Sequence, residues 1–176
     1  MKSRVIQALL MAVLAAAAAA SAQTMNTPAA PALNKTDMAI VNGMAQASIA
    51  EIEAGKLALA KGSSVAVKVF ARQIVEDHGK ALRDLTELAQ NKGIDLPTAP
   101  DAKRKAMVAR LGKLKGEAFD KKYMAEAGVA DHKHVLAALI KDEARARDPD
   151  VKALAAKMLP TVEQHLHHAK GAKATQ

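Results

Sequence analysis

From Thr36 to about Lys170 the chain places apolar residues three and four positions apart in long runs, with no alternation of β-branched and polar residues. A chain patterned in this way buries its apolar surface as packed helices, each contributing one stripe. Glycine and proline divide it into four long segments and one short one.

The first predicted helix covers about Asp37 to Lys61, with Thr36 as N-cap and Gly62 as its stop. The second starts behind Ser63 or Ser64 and ends at Gly93, and its stripe runs through Val67, Phe70, Ile74, Leu82, Leu85 and Leu88. Pro97 and Pro100 make a loop of Ile94 to Ala102, and a short basic helix follows from Asp101 to about Leu114, ended by Gly112 and Gly116. The third long helix covers about Glu117 to Arg147, with Val129, Leu136, Leu139 and Ile140 on its stripe. The fourth begins at Asp148-Pro149, where the missing N–H of a first-turn proline costs nothing, and continues to about Lys170 through Val151, Leu154, Met158, Val162, Leu166 and Ala169. Pro160 removes the bond its N–H would give Ala156 and is a candidate kink just before His165.

These segments predict an all-α fold, a four-helix bundle over residues 37–170 with a short extra helix in the connection between the second and third long helices. That connection, Gly93 to Gly116, is long enough to cross the bundle end to end. Met38, Met44, Met107, Met124 and Met158 are scattered and read as core filler.

Ahead of the bundle, Lys2 and Arg4 precede an alanine-dominated apolar run from Val5 to Ala20, which ends in Ala20-Ser21-Ala22. That is the layout of a cleavable signal peptide, residues 1–22, whose apolar run of 16 residues is too short to span a bilayer as a helix. It predicts a periplasmic or secreted protein with no transmembrane anchor after cleavage. Residues 23–36, with Pro28 and Pro31, read as a disordered linker, and 171–176 as a disordered tail. The chain has no cysteine, so disulfides, thiolate metal sites and thiol nucleophiles are excluded.

The formal net charge is +8, which suits anionic partners. Nucleic acid is not expected, because the chain reads as exported and only Phe70, Phe119 and Tyr123 could stack on bases. The basic short helix, with Lys103, Arg104, Lys105, Arg110, Lys113 and Lys115, suits anionic envelope polymer or lipid headgroups.

Six histidines fall into two groups. His78 continues the stripe of the second long helix, His132 sits among the apolar positions of the third, and His165 continues the fourth. At about 1.5 Å of rise per residue all three lie near mid-height, as does Glu51 in the first helix. His134, His167 and His168 point elsewhere, toward solvent.

Three imidazoles and one carboxylate, one from each helix, make a candidate site for a divalent transition metal such as zinc, copper, iron or nickel. Asp77 and Asp131 precede His78 and His132 directly and point about 100° away, which suits orienting rather than ligating roles. A hydrogen-bonded polar layer that fixes helix register is the competing reading and needs no metal. A nucleophilic catalytic set is not visible. Ser48, Ser63 and Ser64 lack a strand-to-helix elbow, and Glu51 and Glu53, two apart, point to different sides of their helix.

The segments Ala50-Glu51-Ile52-Glu53-Ala54-Gly55-Lys56-Leu57-Ala58, Val75-Glu76-Asp77-His78, Phe119-Asp120-Lys121-Lys122-Tyr123 and Asp131-His132, and Leu159-Pro160 followed by His165, resemble the bacterial domain of unknown function 4142. The resemblance covers about Asp37 to Lys170. It implies an exported helical protein, of a kind often labelled as outer membrane proteins and grouped with ferritin-like bundles, with no assigned activity. The ferritin-like grouping in turn implies a metal site. The chain departs from the diiron pattern, because Val75 and Val162 stand where Glu-x-x-His would place glutamates ahead of His78 and His165. A mononuclear histidine site fits better than oxygen-activating diiron chemistry.

Overall fold

In a computed structural model, which describes residues 32–174, the chain is built of helices, and no strand occurs among the described residues. The elements are α1 (Lys35–Lys61), α2 (Val65–Lys92), α3 (Ala102–Leu111), α4 (Gly116–Tyr123), a π-helix (Met124–Asp131), α5 (His132–Arg145) and α6 (Pro149–Ala174). α4, the π-helix and α5 form one continuous rod, so four long helices pack together and α3 lies over α1 and α4. The expected signal peptide and most of the expected linker fall outside the described residues.

Polar contacts at the two ends fix the topology. Asp120 near the start of the α4 rod accepts bonds from the α1–α2 turn. Lys92 at the end of α2 pairs with Asp148 in the α5–α6 turn at 2.7 Å. The α4–α5 rod therefore runs parallel to α2, and the connection carrying α3 crosses the bundle from end to end. α1 and α6 run the other way, so the tight pairs α1–α2, α2–α6 and α5–α6 are antiparallel. Ala54, Gly55 and Ala58 are buried on α1. A Cβ at Gly55 would stand 2.7 Å from Val75 Cγ2 on α2, so only glycine permits that approach.

Two buried carboxylates close the turns from a distance. Ser64 is the N-cap of α2 but makes no side-chain cap bond. Asp120 Oδ2 takes its place, accepting from Ser63 N at 3.0 Å, Ser63 Oγ at 2.6 Å and Ser64 N at 2.8 Å. At the other end Asp37 accepts from Arg147 N and Asp148 N, both at 3.0 Å. The first helix starts earlier than expected, because Asn34 and not Thr36 is its cap, with Asn34 Oδ1 accepting from Thr36 N and Asp37 N. Leu33, just before it, is buried. α2 ends as expected at Gly93, whose φ of 64° supplies the left-handed turn that a side chain would strain.

The rod departs from the expected stripe. Its π-helix closes i→i+5 bonds and fits more residues into each turn than an α-helix, so the buried face shifts in phase. Val135 and Leu139 are buried, while Ile140, expected inside, is 57% exposed. Met38, expected in the core, is exposed as well. α6 continues unbroken through Pro160, and its expected stripe is buried at every position from Val151 to Ala169. The turn-favouring pair Asn42-Gly43 lies inside α1.

The core is divided. One apolar cluster contains Ala47, Leu85, Val135 and Val162, and the other contains Ala54, Ile74, Ala127 and Ala169. Between them, on each of the four rods, lies a buried polar residue: Glu51, His78, His132 and His165. A polar layer thus crosses the bundle at mid-height.

Candidate metal centre

Each histidine of the layer is carried there by an apolar stripe that continues on both sides. His78 follows Phe70 and Ile74 on α2, His132 opens α5, and His165 stands between Val162 and Ala169 on α6. Their ring centroids form a near-equilateral triangle, with His78–His132 at 5.8 Å, His78–His165 at 5.5 Å and His132–His165 at 5.4 Å. One ring nitrogen from each lies within 4.8 Å of the other two. His134, His167 and His168 are exposed, as the helical spacing predicts.

The hydrogen bonds define which nitrogens are free. His132 Nδ1 donates to the Ala127 carbonyl at 2.9 Å, so the proton sits on Nδ1 and Nε2 keeps its lone pair. His165 Nε2 donates to Asp77 Oδ2 at 3.0 Å, which leaves the lone pair on Nδ1. His132 Nε2, His165 Nδ1 and both nitrogens of His78 are buried without a partner. Unbonded polar atoms in a core cost stability.

Burial keeps the rings neutral. It pushes His78 well below the usual imidazole range, and the nearby His132 and His165 add to the effect. Burial lowers His132 to about 4, against the opposing pull of its bond to Ala127. His165 is lowered by burial too, with Asp77 opposing. Neutral imidazoles are the form that ligates a metal.

Glu51, expected as the carboxylate ligand, does not join the cluster. It is fully buried in the same layer, but its Oε1 stands 3.6 Å from His132 Nδ1, the nitrogen already committed to Ala127. Burial raises the Glu51 carboxyl well above the usual range, and the adjacent Asp131 raises it further while Arg104 opposes. Asp131 is near enough to share a hydrogen bond with the protonated Glu51 carboxyl, which otherwise has no partner.

Several members of the layer escaped the sequence reading. Tyr123 and Ser48 bring buried, unpartnered hydroxyls, and burial together with Glu51 raises the Tyr123 phenol well above its usual value. Ser48 stands one turn before Glu51, a spacing that could have flagged it. Asp77 orients His165 across the helix interface rather than its neighbour His78. Arg104, counted with the basic surface, is instead half-withdrawn between Asp131 at 2.9 Å and Asp101 at 2.6 Å. Arg110 is paired with Glu126 at 3.3 Å.

Among known proteins, the sequence model of a family described as a domain of unknown function, DUF4142, matches residues 22–172. No curated protein matches the chain. The crystal structure of a DUF305 fragment from Deinococcus radiodurans is similar, with a TM-score of 0.72 at 19% identity, covering 83% of this chain and 100% of that one. At that identity the likeness bears on the fold alone, and it agrees with the all-helical bundle.

Proposed function

The chain belongs to the DUF4142 family, and from that premise we propose that it is an exported helical bundle that binds one divalent transition metal between His78, His132 and His165. The observation that carries the reading is the set of three buried, neutral imidazoles, each with an unpartnered nitrogen, in which one ring nitrogen of each lies within 4.8 Å of one from each of the others. Ligands of a zinc ion at about 2.0–2.1 Å stand closer together than this, so small rotations of the rings complete the site. Two of the three rings are already oriented from behind, His132 by Ala127 and His165 by Asp77, in the manner of supported metal ligands. Export rests on the leader-like residues 1–22, and no helix among the described residues is long and apolar enough to cross a membrane.

The test is metal analysis and titration of the protein without an affinity tag. About one equivalent of zinc, copper, nickel or cobalt should bind, less after His132→Ala and unchanged after joint replacement of His167 and His168 by alanine. No uptake, or uptake lost with His167 and His168, overturns the reading in favour of a register-fixing polar layer.

A second reading concerns the surface beside α3. With Arg104 and Arg110 paired, Lys103, Lys105, Lys113 and Lys115 form an exposed group for which no ion pair is found among the described residues. These four lysines suit anionic envelope polymer or lipid headgroups. Reversal of Lys103, Lys105 and Lys113 should abolish co-sedimentation with anionic vesicles at low salt. Unchanged binding would leave them as a solvated face.

A further inference from the structure

A cavity of about 130 Å³ opens between α2 and α6 and is lined by Asp77, His78, Ala81 and Asp84 on one side and Met158 and Thr161 on the other. It reaches the layer at His78. On the opposite side the Phe70 ring covers the trio, its centroid 6.2 Å from that of His132 and 6.4 Å from that of His165. Behind it Tyr123 packs at 6.1 Å. His78, with both nitrogens unpartnered, is the member of the trio that lines the cavity.

Among the described residues three ligands come together and no fourth joins them. No carboxylate oxygen belongs to the cluster, because Glu51 lies against His132 Nδ1 and Asp77 is engaged by His165. Three neutral imidazoles bring no charge of their own to a divalent ion, and the nearby carboxylates, Asp77 on His165 and Glu51 beside His132, stand behind the rings and not among the ligands. A three-ligand site with a solvent-connected fourth position is the arrangement of an exchangeable rather than a closed metal centre.

Resting on the metal reading above, we infer that the fourth coordination position faces this cavity and takes a small ligand of a few heavy atoms from solvent. The cavity has room for several waters, and its apolar walls at Ala81 and Met158 exclude bulky ligands. Lys80 and Lys157 stand at its rim, each more than half exposed and each paired with a carboxylate, Glu76 and Asp84 respectively.

Azide titration of the full-length protein loaded with cobalt(II) reads the position directly, through the visible ligand-field bands. A saturable change at one azide per metal is expected. Ala81→Phe, and separately Thr161→Leu, should retain one cobalt per chain and weaken or slow azide binding at least tenfold; having two variants guards against one that fails to fold. If cobalt binds with full stoichiometry and azide leaves the bands unchanged, the site is closed and the inference falls while the metal reading stands. Azide binding that is unaltered in both variants overturns the cavity as the route. Failure to bind cobalt at all overturns the metal reading itself, and the open position with it.

Discussion

Asp77 on α2 accepts a hydrogen bond from His165 Nε2 on α6 at 3.0 Å, while His78, the next residue in sequence, has neither nitrogen bonded. The carboxylate fixes the tautomer of His165 and leaves its buried Nδ1 free. Asp77 is therefore a positioning residue. Asp77→Ala should weaken metal affinity by about 10–100-fold, measured by chelator competition, with helical content unchanged. Asp77→Asn, whose amide oxygen can still accept from Nε2, should lose less. Equal affinity in Asp77→Ala would show that the bond does not support a ligand.

The metal-free protein should lose stability on acidification. His78, His132 and His165 all have folded-state pKa values below the ordinary imidazole value, His132 at about 4. The unfolded chain therefore takes up protons that the folded chain refuses. Stability is whole above about pH 6.5 and falls as pH drops toward 4, by about 1.4 kcal/mol per pH unit for each histidine within its window. Urea midpoints measured with chelator present at several pH values check this. His78→Leu should shrink the decline, and an unchanged profile would count against neutral burial.

Glu51 acts in the opposite direction. Its folded pKa is raised, so stability is lost as pH climbs from the ordinary carboxyl value through the folded one. At pH 7 the unfolded state gains from ionising a group that the fold holds neutral or charges at a cost. Glu51→Gln should therefore raise Tm, with each kcal/mol of gain worth roughly 2–4 °C in a domain of this size. A lower Tm would mean that the carboxyl is held by a bond the amide does not replace, such as one to Asp131.

Asp120 accepts three donors of the α1–α2 turn through one oxygen. Asp120→Ala leaves the start of α2 uncapped in a buried setting and should cost about 2–4 kcal/mol. Asp120→Asn, still able to accept, should cost less. Denaturant unfolding at fixed pH distinguishes them, and a cost near zero for alanine would mean that water caps the helix equally well.

The long helices and the three core histidines were legible because both follow from spacing alone. His78 and His165 extend stripes whose every neighbour is apolar, so helical arithmetic aims them inward without any knowledge of partners. The π-helix was not legible, since one extra residue in a turn leaves no mark in composition. The face predicted for Ile140 belonged to an unbroken α-helix, and the observed phase buries Val135 instead. The caps made by Asp37 and Asp120 join residues 110 and 57 positions apart, beyond any local pattern. Glu51 was placed at the right height, but height does not specify which edge of His132 it meets.

The π-helix from Met124 to Asp131 also makes the number of residues between Tyr123 and His132 a structural quantity in its own right. A segment of this kind behaves like a single-residue insertion absorbed within a helix. Removing one of its residues would restore ordinary winding and leave α5 in its present phase, whereas rewinding the same eight residues as α-helix would turn α5 by about 100° relative to α4. In the rewound helix the imidazole of His132 would leave the layer even though its side chain were untouched. In sequence alignments of related chains, a one-residue gap between these two positions is therefore compatible with the histidine trio, and replacement of a histidine is not.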